Sequence, residues 1–588
     1  MMLSRRAFLA STALFASTKR RPNIIFILTD DQGYGDLGCH GNPHLKTPNL
    51  DRLHRESTRF THFHSSPLCS PTRASLMTGR YSYRTGIVDT WVGLAQMRPT
   101  EVTLAEVLRN AGYRTGLFGK WHLGDNYPMR ATDQGFEETL VHTDGAIGGI
   151  ADPAPNTYFD PVLFRNGRVA KTAGYCTDVF FREGMRFIEK HRNDPFFLYL
   201  PTNVPHGPLQ VADSYTEPYR KLGLPDEAAR IYGMIANLDE NVGWLLGLLT
   251  QMSLEQNTIV LFMSDNGLIG LDRFNAGLRD QKESVYDGGI RVPFFMRWPG
   301  TLAAAVDVDR IAAHIDVFPT LLDLCGVPLP GGLKLDGISL RPLLQAKSPD
   351  WPDRTLFVQQ SRPDPAGIDE PRLFTHCAAR TQRFKIVMTA KTEELSYTQA
   401  IGEQETELYD MQADPGERTN IASQHPEIVK RMRADYEAWF KDVTQSLKDP
   451  VPIPLGDKLA NPVLLTSQEL RGPRAPEAPW NHNRAARYRK SEPDGYGYWE
   501  VDVKRAGRYE FTSRLGIPGD PGPLKAGKAR LRIGAASQEQ LVTAGDTVVR
   551  MTLRLKPGPA RLGIAIEGQR KDSKLISPFF VDVRYLGR

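Results

Sequence analysis

Four short runs along the chain are apolar at nearly every position, and each ends in polar residues capable of chemistry. Asn23–Thr29 (NIIFILT) runs into Asp30-Asp31, and Arg114–Gly119 into Lys120-Trp121-His122. Phe196–Pro201 leads towards His206, and Thr258–Ser264 (TIVLFMS) into Asp265-Asn266-Gly267. A run without polar alternation predicts a strand covered on both faces, as in a parallel sheet. In open α/β sheets ligands bind beyond the carboxyl ends of the strands, so the four ends point to one shared site. Helical stretches lie between them. Thr103-Leu104-Ala105-Glu106 has the capping-box form and opens a helix to about Asn110, with Gly112 as its stop. Asp178–His191 and Ala228–Met252 carry helical periodicity, and Ile315–Leu324 predicts a further helix. Strands alternating with helices predict an α/β fold, a mostly parallel sheet between helices.

After about Pro349 the pattern changes. Leu356–Gln360 and Lys385–Thr389 predict strands, and Pro426–Val443 a long helix, which together make a small α+β C-terminal subdomain. Residues 449–480 are rich in proline and read as a linker. From Gly497 onward short alternating segments recur: Tyr498–Val503, Gly507–Ser513, Ala529–Ile533, Thr547–Leu555 and Pro578–Tyr585. Punctuated by Gly and Pro, they predict a C-terminal β-sandwich. Trp480 and Trp499 are candidates for core anchors or for sugar-stacking platforms, and Trp499, within an alternating strand, fits the core. The chain thus divides into 21–350, 351–448, a 449–480 linker and a 481–588 sandwich, preceded by residues 1–20.

That leading segment reads Ser4-Arg5-Arg6-Ala7-Phe8-Leu9 and continues apolar to about Ala16. It resembles a twin-arginine export signal, too short to span a bilayer, and implies a periplasmic or extracellular protein. No later apolar run is long enough to predict a membrane span. The composition of the 588 residues, 40% hydrophobic and 24% charged, is that of an ordinary globular protein. A net charge of +5 is too small at this size to suggest a nucleic-acid partner. Five cysteines make no disulfide framework, and an odd number leaves at least one thiol unpaired. Cys39, Cys176, Cys325 and Cys377 show no metal-type spacing and read as core residues.

Asp30, Asp31, Asp265 and Asn266 offer three carboxylates and one amide from two distant strand ends. All-oxygen ligation of this kind selects a hard divalent ion, Ca²⁺ or Mg²⁺, over zinc. The other chemical signal is Cys69-Ser70-Pro71-Thr72-Arg73-Ala74-Ser75-Leu76-Met77-Thr78-Gly79-Arg80. Pro71 suits a first helical turn and Ala74–Met77 are good helix formers, which places Cys69 just ahead of a helix N-terminus. Free amides and the macrodipole there favour an anion, and Arg73, one turn in, is a cation able to return towards Cys69.

The whole run resembles the signature of the type I, formylglycine-dependent sulfatases of the alkaline phosphatase superfamily, Cys-x-Pro-Ser-Arg followed by Leu-x-Thr-Gly-Arg, with Thr72 at the usual Ser. Gly119-Lys120-Trp121-His122-Leu123-Gly124 resembles that family's GKWHLG element, and Pro205-His206-Gly207-Pro208 its PHxP element. Lys282 ahead of Asp287-Gly288-Gly289-Ile290-Arg291-Val292-Pro293 is similar to a third, with Asp287 in place of Glu and Asp280-Gln281 in place of glycines. Glu407 to Asn420 is similar to a pattern of the family's C-terminal subdomain.

The resemblance implies that a maturation enzyme oxidises Cys69 to formylglycine, and that Asp30, Asp31, Asp265, Asn266 and residue 69 hold one Ca²⁺, with Mg²⁺ as the alternative. It further implies that Asp265 accepts the nucleophile's proton, that Arg73, Lys120 and Lys282 offset negative charge, and that His206 protonates the leaving alcohol. His122 would then take the proton that frees sulfate. The implied reaction is hydrolysis of sulfate esters, on carbohydrates or aryl groups. A phosphodiester or phosphonate hydrolase of the same superfamily is the alternative enzyme, although those tend to carry His where this chain has Asn266. A non-catalytic protein that binds sulfated glycans is the alternative of another class.

Overall fold

The computed structural model describes residues 20–345, 351–361, 371–390, 404–472, 474–475, 478–488, 495–517, 519–569 and 575–588. The expected export signal lies outside these, apart from Arg20.

The four apolar runs are neighbours in one sheet. We label β1 Asn23–Asp30, α1 Cys69–Thr78, α2 Leu104–Asn110, β2 Arg114–Lys120, β3 Glu138–His142, α3 Cys176–His191, β4 Phe196–Pro205, α4 Asp226–Gln251, β5 Thr258–Ser264 and α5 Val317–Leu324. The order β5-β1-β4-β2-β3 is parallel throughout and forms the middle of a ten-stranded sheet. Its outer strands, Phe294–Arg297 on one side and Val162–Arg165 on the other, run antiparallel to their inner neighbours. Alternate residues of β1 serve different cores. Ile24, Phe26 and Leu28 pack with α1, α2 and α5, whereas Ile25 and Ile27 pack with α3 and α4. Burial on both faces is why polar alternation is missing from these runs. The helix starts follow local chemistry, as at α2, where Thr103 and Glu106 form the reciprocal capping box read from the sequence.

The C-terminal subdomain is a four-stranded antiparallel sheet of Leu356–Gln359, Cys377–Arg380, Phe384–Ala390 and Gln404–Asp410. The helix Pro426–Val443 covers it through Met432 and Tyr436.

The sandwich departs from expectation at its start. Residues 449–480 are no linker, because Ile453–Leu455 and Val463–Thr466 are the first strands of its two sheets. Both lie at sheet edges, where the missing N–H of Pro454 is tolerated, so a proline-rich composition conceals them. Two further strands, Ala536–Val542 and Gly558–Ile566, complete the sandwich. Trp499 is fully buried in the shared core, whereas Trp480 is exposed. That core extends into the α/β domain through Val88, Val92, Leu94, Met129 and Ile150. Among the described residues no helix is long and apolar enough to cross a membrane. All five cysteines are unpaired, and Cys39 alone is half-exposed.

Candidate active site

Each predicted strand end delivers its polar residues to one buried pocket. Asp30 closes β1, Lys120 closes β2, His206 follows β4, and Asp265-Asn266 follow β5. In a regular strand Asp30 and Asp31 would face opposite sides. Asp31 has φ 67°, a left-handed conformation that Asp tolerates better than most residues, and this breaks the alternation. The ligand atoms of Asp30, Asp31, Asp265 and Cys69 consequently lie within 4.8 Å of one another.

Cys69 is the first residue of α1, with Leu68 as N-cap, so the helix starts one place earlier than the sequence pattern predicts. Its S–H faces Asp30 Oδ1 at 3.3 Å and Asn266 Oδ1 at 3.5 Å. Asn266 Nδ2 donates to Asp31 Oδ1 at 2.8 Å, which fixes the amide with its oxygen towards residue 69. Lys282 Nζ reaches both Asp31 Oδ1, at 2.6 Å, and the sulfur, at 3.5 Å. Lys120 Nζ lies 2.5 Å from Asp30 Oδ2. Arg73 turns back into the pocket, where its charge interacts with Cys69, but its hydrogen bonds go elsewhere. Its fork donates to Asp265 Oδ2, at 2.8 and 3.2 Å, and to the Lys120 carbonyl, at 2.9 Å.

The loop that carries Lys282 needs its glycines. A Cβ on Gly267 would lie 1.8 Å from the Gly288 carbonyl oxygen, and one on Gly289 2.1 Å from that of Ser284. Asp287, the residue in place of Glu, is held by Lys385 at 2.8 Å and by Arg380, both from the C-terminal subdomain. With the residues that depart from the family pattern in place, the loop is tied to the C-terminal subdomain and Lys282 stays in the pocket.

The two histidines present different nitrogens. His206 Nδ1–H donates to the Gly207 carbonyl at 2.7 Å, leaving Nε2 3.8 Å from Asp31 Oδ2. Its side chain is 24% exposed against 2% for Asp31, which sets it at the pocket mouth. His122, at φ 58°, donates from Nε2 to the Thr90 carbonyl at 2.9 Å, so Nδ1 holds the lone pair, buried and without a partner. Ser70 Oγ donates to the His122 carbonyl at 2.8 Å and ties this residue to the start of α1. Sequence reasoning missed Thr90, and no motif signals it, because it acts through its backbone.

Burial raises both Asp30 and Asp265, with opposite outcomes. Lys120, His206 and Arg73 together hold Asp30 well below the usual carboxylate range. Asp265, which also feels Asp30, is pushed up to about 6 despite Arg73. Carboxylates driven apart in this way take different roles. Burial also pushes the Cys69 thiol up, aided by Asp265 and Asp30, so as a thiol it is a poor nucleophile at neutral pH. Burial disfavours the charge of Lys282, but Asp31, Cys69 and Asp30 outweigh it and raise its pKa well above the ordinary value.

The residues fit a divalent ion. Asp30, Asp31, Asp265 and the Asn266 oxygen are buried, all-oxygen donors around one point, the set a hard cation selects. The three carboxylates balance Arg73, Lys120 and Lys282, so an added cation leaves the pocket positive and suited to an anion.

A family model described as Sulfatase matches residues 22–327, and one described as N-sulphoglucosamine sulphohydrolase, C-terminal, matches residues 276–441. Human arylsulfatase A is 32% identical over 470 residues, covering 73% of this chain and 89% of that protein. The N-acetylgalactosamine-6-O-sulfatase of Bacteroides thetaiotaomicron is 28% identical over 493 residues, covering 70% and 92%. Among solved structures, Ps i-CgsB in complex with k-i-k-neocarrahexaose is similar at a TM-score of 0.64 and 26% identity, covering 73% of this chain and 94% of that one. A hard-metal donor set interleaved with three cations, at the carboxyl ends of a parallel sheet, fits an α/β hydrolase of anionic esters. The chain belongs to the sulfatase family, and the reaction it catalyses is the hydrolysis of sulfate esters.

Proposed function

We propose that the chain hydrolyses carbohydrate sulfates with residue 69 converted from Cys to formylglycine by a maturation enzyme, and with one Ca²⁺ held by Asp30, Asp31, Asp265 and Asn266. The observation that carries this reading is the convergence of three carboxylates, an amide oxygen and two ammonium groups on the Cys69 side chain. Support for the substrate class comes from the relatives named above, an N-acetylgalactosamine-6-O-sulfatase and a protein crystallised in complex with k-i-k-neocarrahexaose, set beside a pocket that an added cation would suit to an anion.

Once converted, residue 69 would supply the attacking oxygen, and a divalent ion held by Asp30, Asp31, Asp265 and Asn266 would supply Lewis-acid polarisation beside it. Lys120 and Lys282 neutralise charge that grows on the sulfuryl oxygens, an electrostatic effect typically worth about 3–4 kcal/mol per group. Asp265, held by the Arg73 fork, takes the proton of the attacking oxygen. His206, at the mouth, delivers a proton from Nε2 to the leaving alcohol. His122 accepts, at its unpartnered Nδ1, the proton whose removal frees inorganic sulfate. Arg73 acts through Asp265 by holding its orientation. Export through a twin-arginine route belongs to the same proposal, because that route moves protein already folded and converted.

Co-expression with a maturation enzyme tests it. Mass spectrometry of the peptide containing residue 69 should show the aldehyde, and kcat/KM should favour nitrophenyl sulfate over the nitrophenyl phosphodiester. An intact thiol in a fully active preparation, or a preference for the phosphodiester, sinks the reading.

A further inference from the structure

We propose that Gln468, carried by the C-terminal sandwich, is a positioning residue for His122, which makes the sandwich a working part of the active site; this rests on the role given to His122 above. The orientation of the His122 ring depends on one acceptor, the Thr90 carbonyl, because the Nε2–H donated to it leaves Nδ1 as the proton acceptor. Thr90 lies in a loop outside any helix or strand, so that carbonyl needs an external anchor. Gln468 provides it. Its side-chain amide donates to the same Thr90 oxygen at 2.9 Å, and its own carbonyl accepts the Gly93 N–H at 2.9 Å.

Gln468 is itself held rigidly. It sits in a single turn, Ser467–Glu469, closed by a capping box between Thr466 and Glu469. The approach is close enough to require glycine at position 93, where φ is 69° and a Cβ would stand 2.9 Å from the Glu469 carbonyl oxygen. Val92 and Leu94 on either side are buried in the sandwich core.

The opposite side of the ring leads to the same segment. A Cβ on Gly145 would come within 2.8 Å of His122 Cε1, so the loop after β3 backs the imidazole. That loop is bonded to the sandwich lead-in as well, Ile150 N–H to the Trp480 carbonyl at 3.1 Å and His482 N–H to the Gly148 carbonyl at 3.2 Å. Both loops that touch His122 therefore end on residues 466–482. A sandwich attached only for stability has no reason to place its side-chain amide on the one carbonyl that fixes this ring.

The test uses the full chain with Gln468→Met, which keeps length and apolar bulk and removes the donor. Hydrogen exchange of peptides spanning 88–95 should rise even with Cys69 unconverted. In the converted enzyme kcat should fall about tenfold, the effect of losing one well-placed hydrogen bond, with KM unchanged. Sulfate release should slow relative to alcohol release, seen as a burst of nitrophenol from nitrophenyl sulfate. Gln468→Glu, whose carboxylate would face the Thr90 oxygen, should be slower still. Wild-type exchange and kcat in Q468M, or equal rates in Q468M and Q468E, overturn the proposal. Retained activity in His122→Ala overturns instead the role of His122 on which it rests, and the exchange data separate the two failures.

Discussion

Asp31 shows how one backbone dihedral brings the carboxylates of two adjacent residues into one cluster. Its left-handed φ of 67° puts neighbouring carboxylates on one side, and Lys282 and the Asn266 amide then converge on its oxygen. If these residues hold Ca²⁺, chelation should lower the thermal midpoint and added Ca²⁺ restore it, by about 3 kcal/mol at a hundredfold excess over Kd. Asp31→Asn should blunt that response in calorimetry, and a midpoint indifferent to chelator in the wild type would remove the ion from the site. Arg73 carries a second prediction. It is buried against Asp265, so Arg73→Ala leaves an unpaired buried carboxylate and should destabilise by about 3–5 kcal/mol, measured by denaturation. Arg73→Lys should recover part of that and little activity, because an ammonium cannot span Asp265 and the Lys120 carbonyl together. At this scale the sequence exposes residues that act through distinctive side chains. Asp30, Lys120, Lys282 and His206 all reach the pocket, whereas Thr90 acts through a carbonyl and Gln468 across 378 positions, and neither leaves a local mark.

Elements were legible where burial imposes a pattern. β1, β2, β4 and β5 are covered on both faces, so their unbroken apolar runs announce them and their ends mark the site. Three edge strands of the sandwich were not, Pro454 and the largely polar Ala536–Val542 showing how an edge position is filled without apolar alternation, whereas the alternating edge strand Val549–Leu555 was. Between β5 and Lys282 the decisive feature is backbone proximity rather than pattern. Gly267→Ala would drive a methyl to 1.8 Å from the Gly288 oxygen, moving the loop that presents Lys282. Displacement of that order should cost about a hundredfold in kcat/KM against nitrophenyl sulfate. Gly247, inside α4 with open space around its Cβ position, is the contrast. Gly247→Ala should leave kcat/KM unchanged and raise stability by about 0.5–1 kcal/mol, and equal losses in both variants would show that the crowded loop is unimportant.

For the whole molecule the consequential contact is the one between the α/β domain and the sandwich, and it is built around buried acids. Glu469 of the sandwich lead-in faces Asp125, whose partner Asp144 donates its backbone N–H to Asp125 Oδ2 at 2.9 Å. Burial, with the charge of Asp125 adding to it, pushes Glu469 up to about 7 even though the Thr466 N–H favours its charged form. Nearby Asp152 is pushed to about 7 by burial as well. The folded state thus binds a proton that the unfolded chain releases near the ordinary glutamate value of 4.5. The stabilisation this proton gives is complete below that value and is lost as the pH climbs to about 7. The gap corresponds to about 3 kcal/mol for Glu469 at roughly 1.4 kcal/mol per pH unit. Glu469→Gln keeps an acceptor for the Thr466 N–H and hydroxyl, both bonded to Glu469 Oε2, while abolishing the titration. The variant should therefore match the wild type near pH 5 and exceed it in thermal midpoint near pH 8, a divergence that follows from the sign of the linkage. Because the same turn carries Gln468, the stability gained above neutrality should come with slower hydrogen exchange at residues 88–95, joining the acid cluster to the loop that holds His122. Parallel pH profiles for the two proteins would place the titrating group elsewhere.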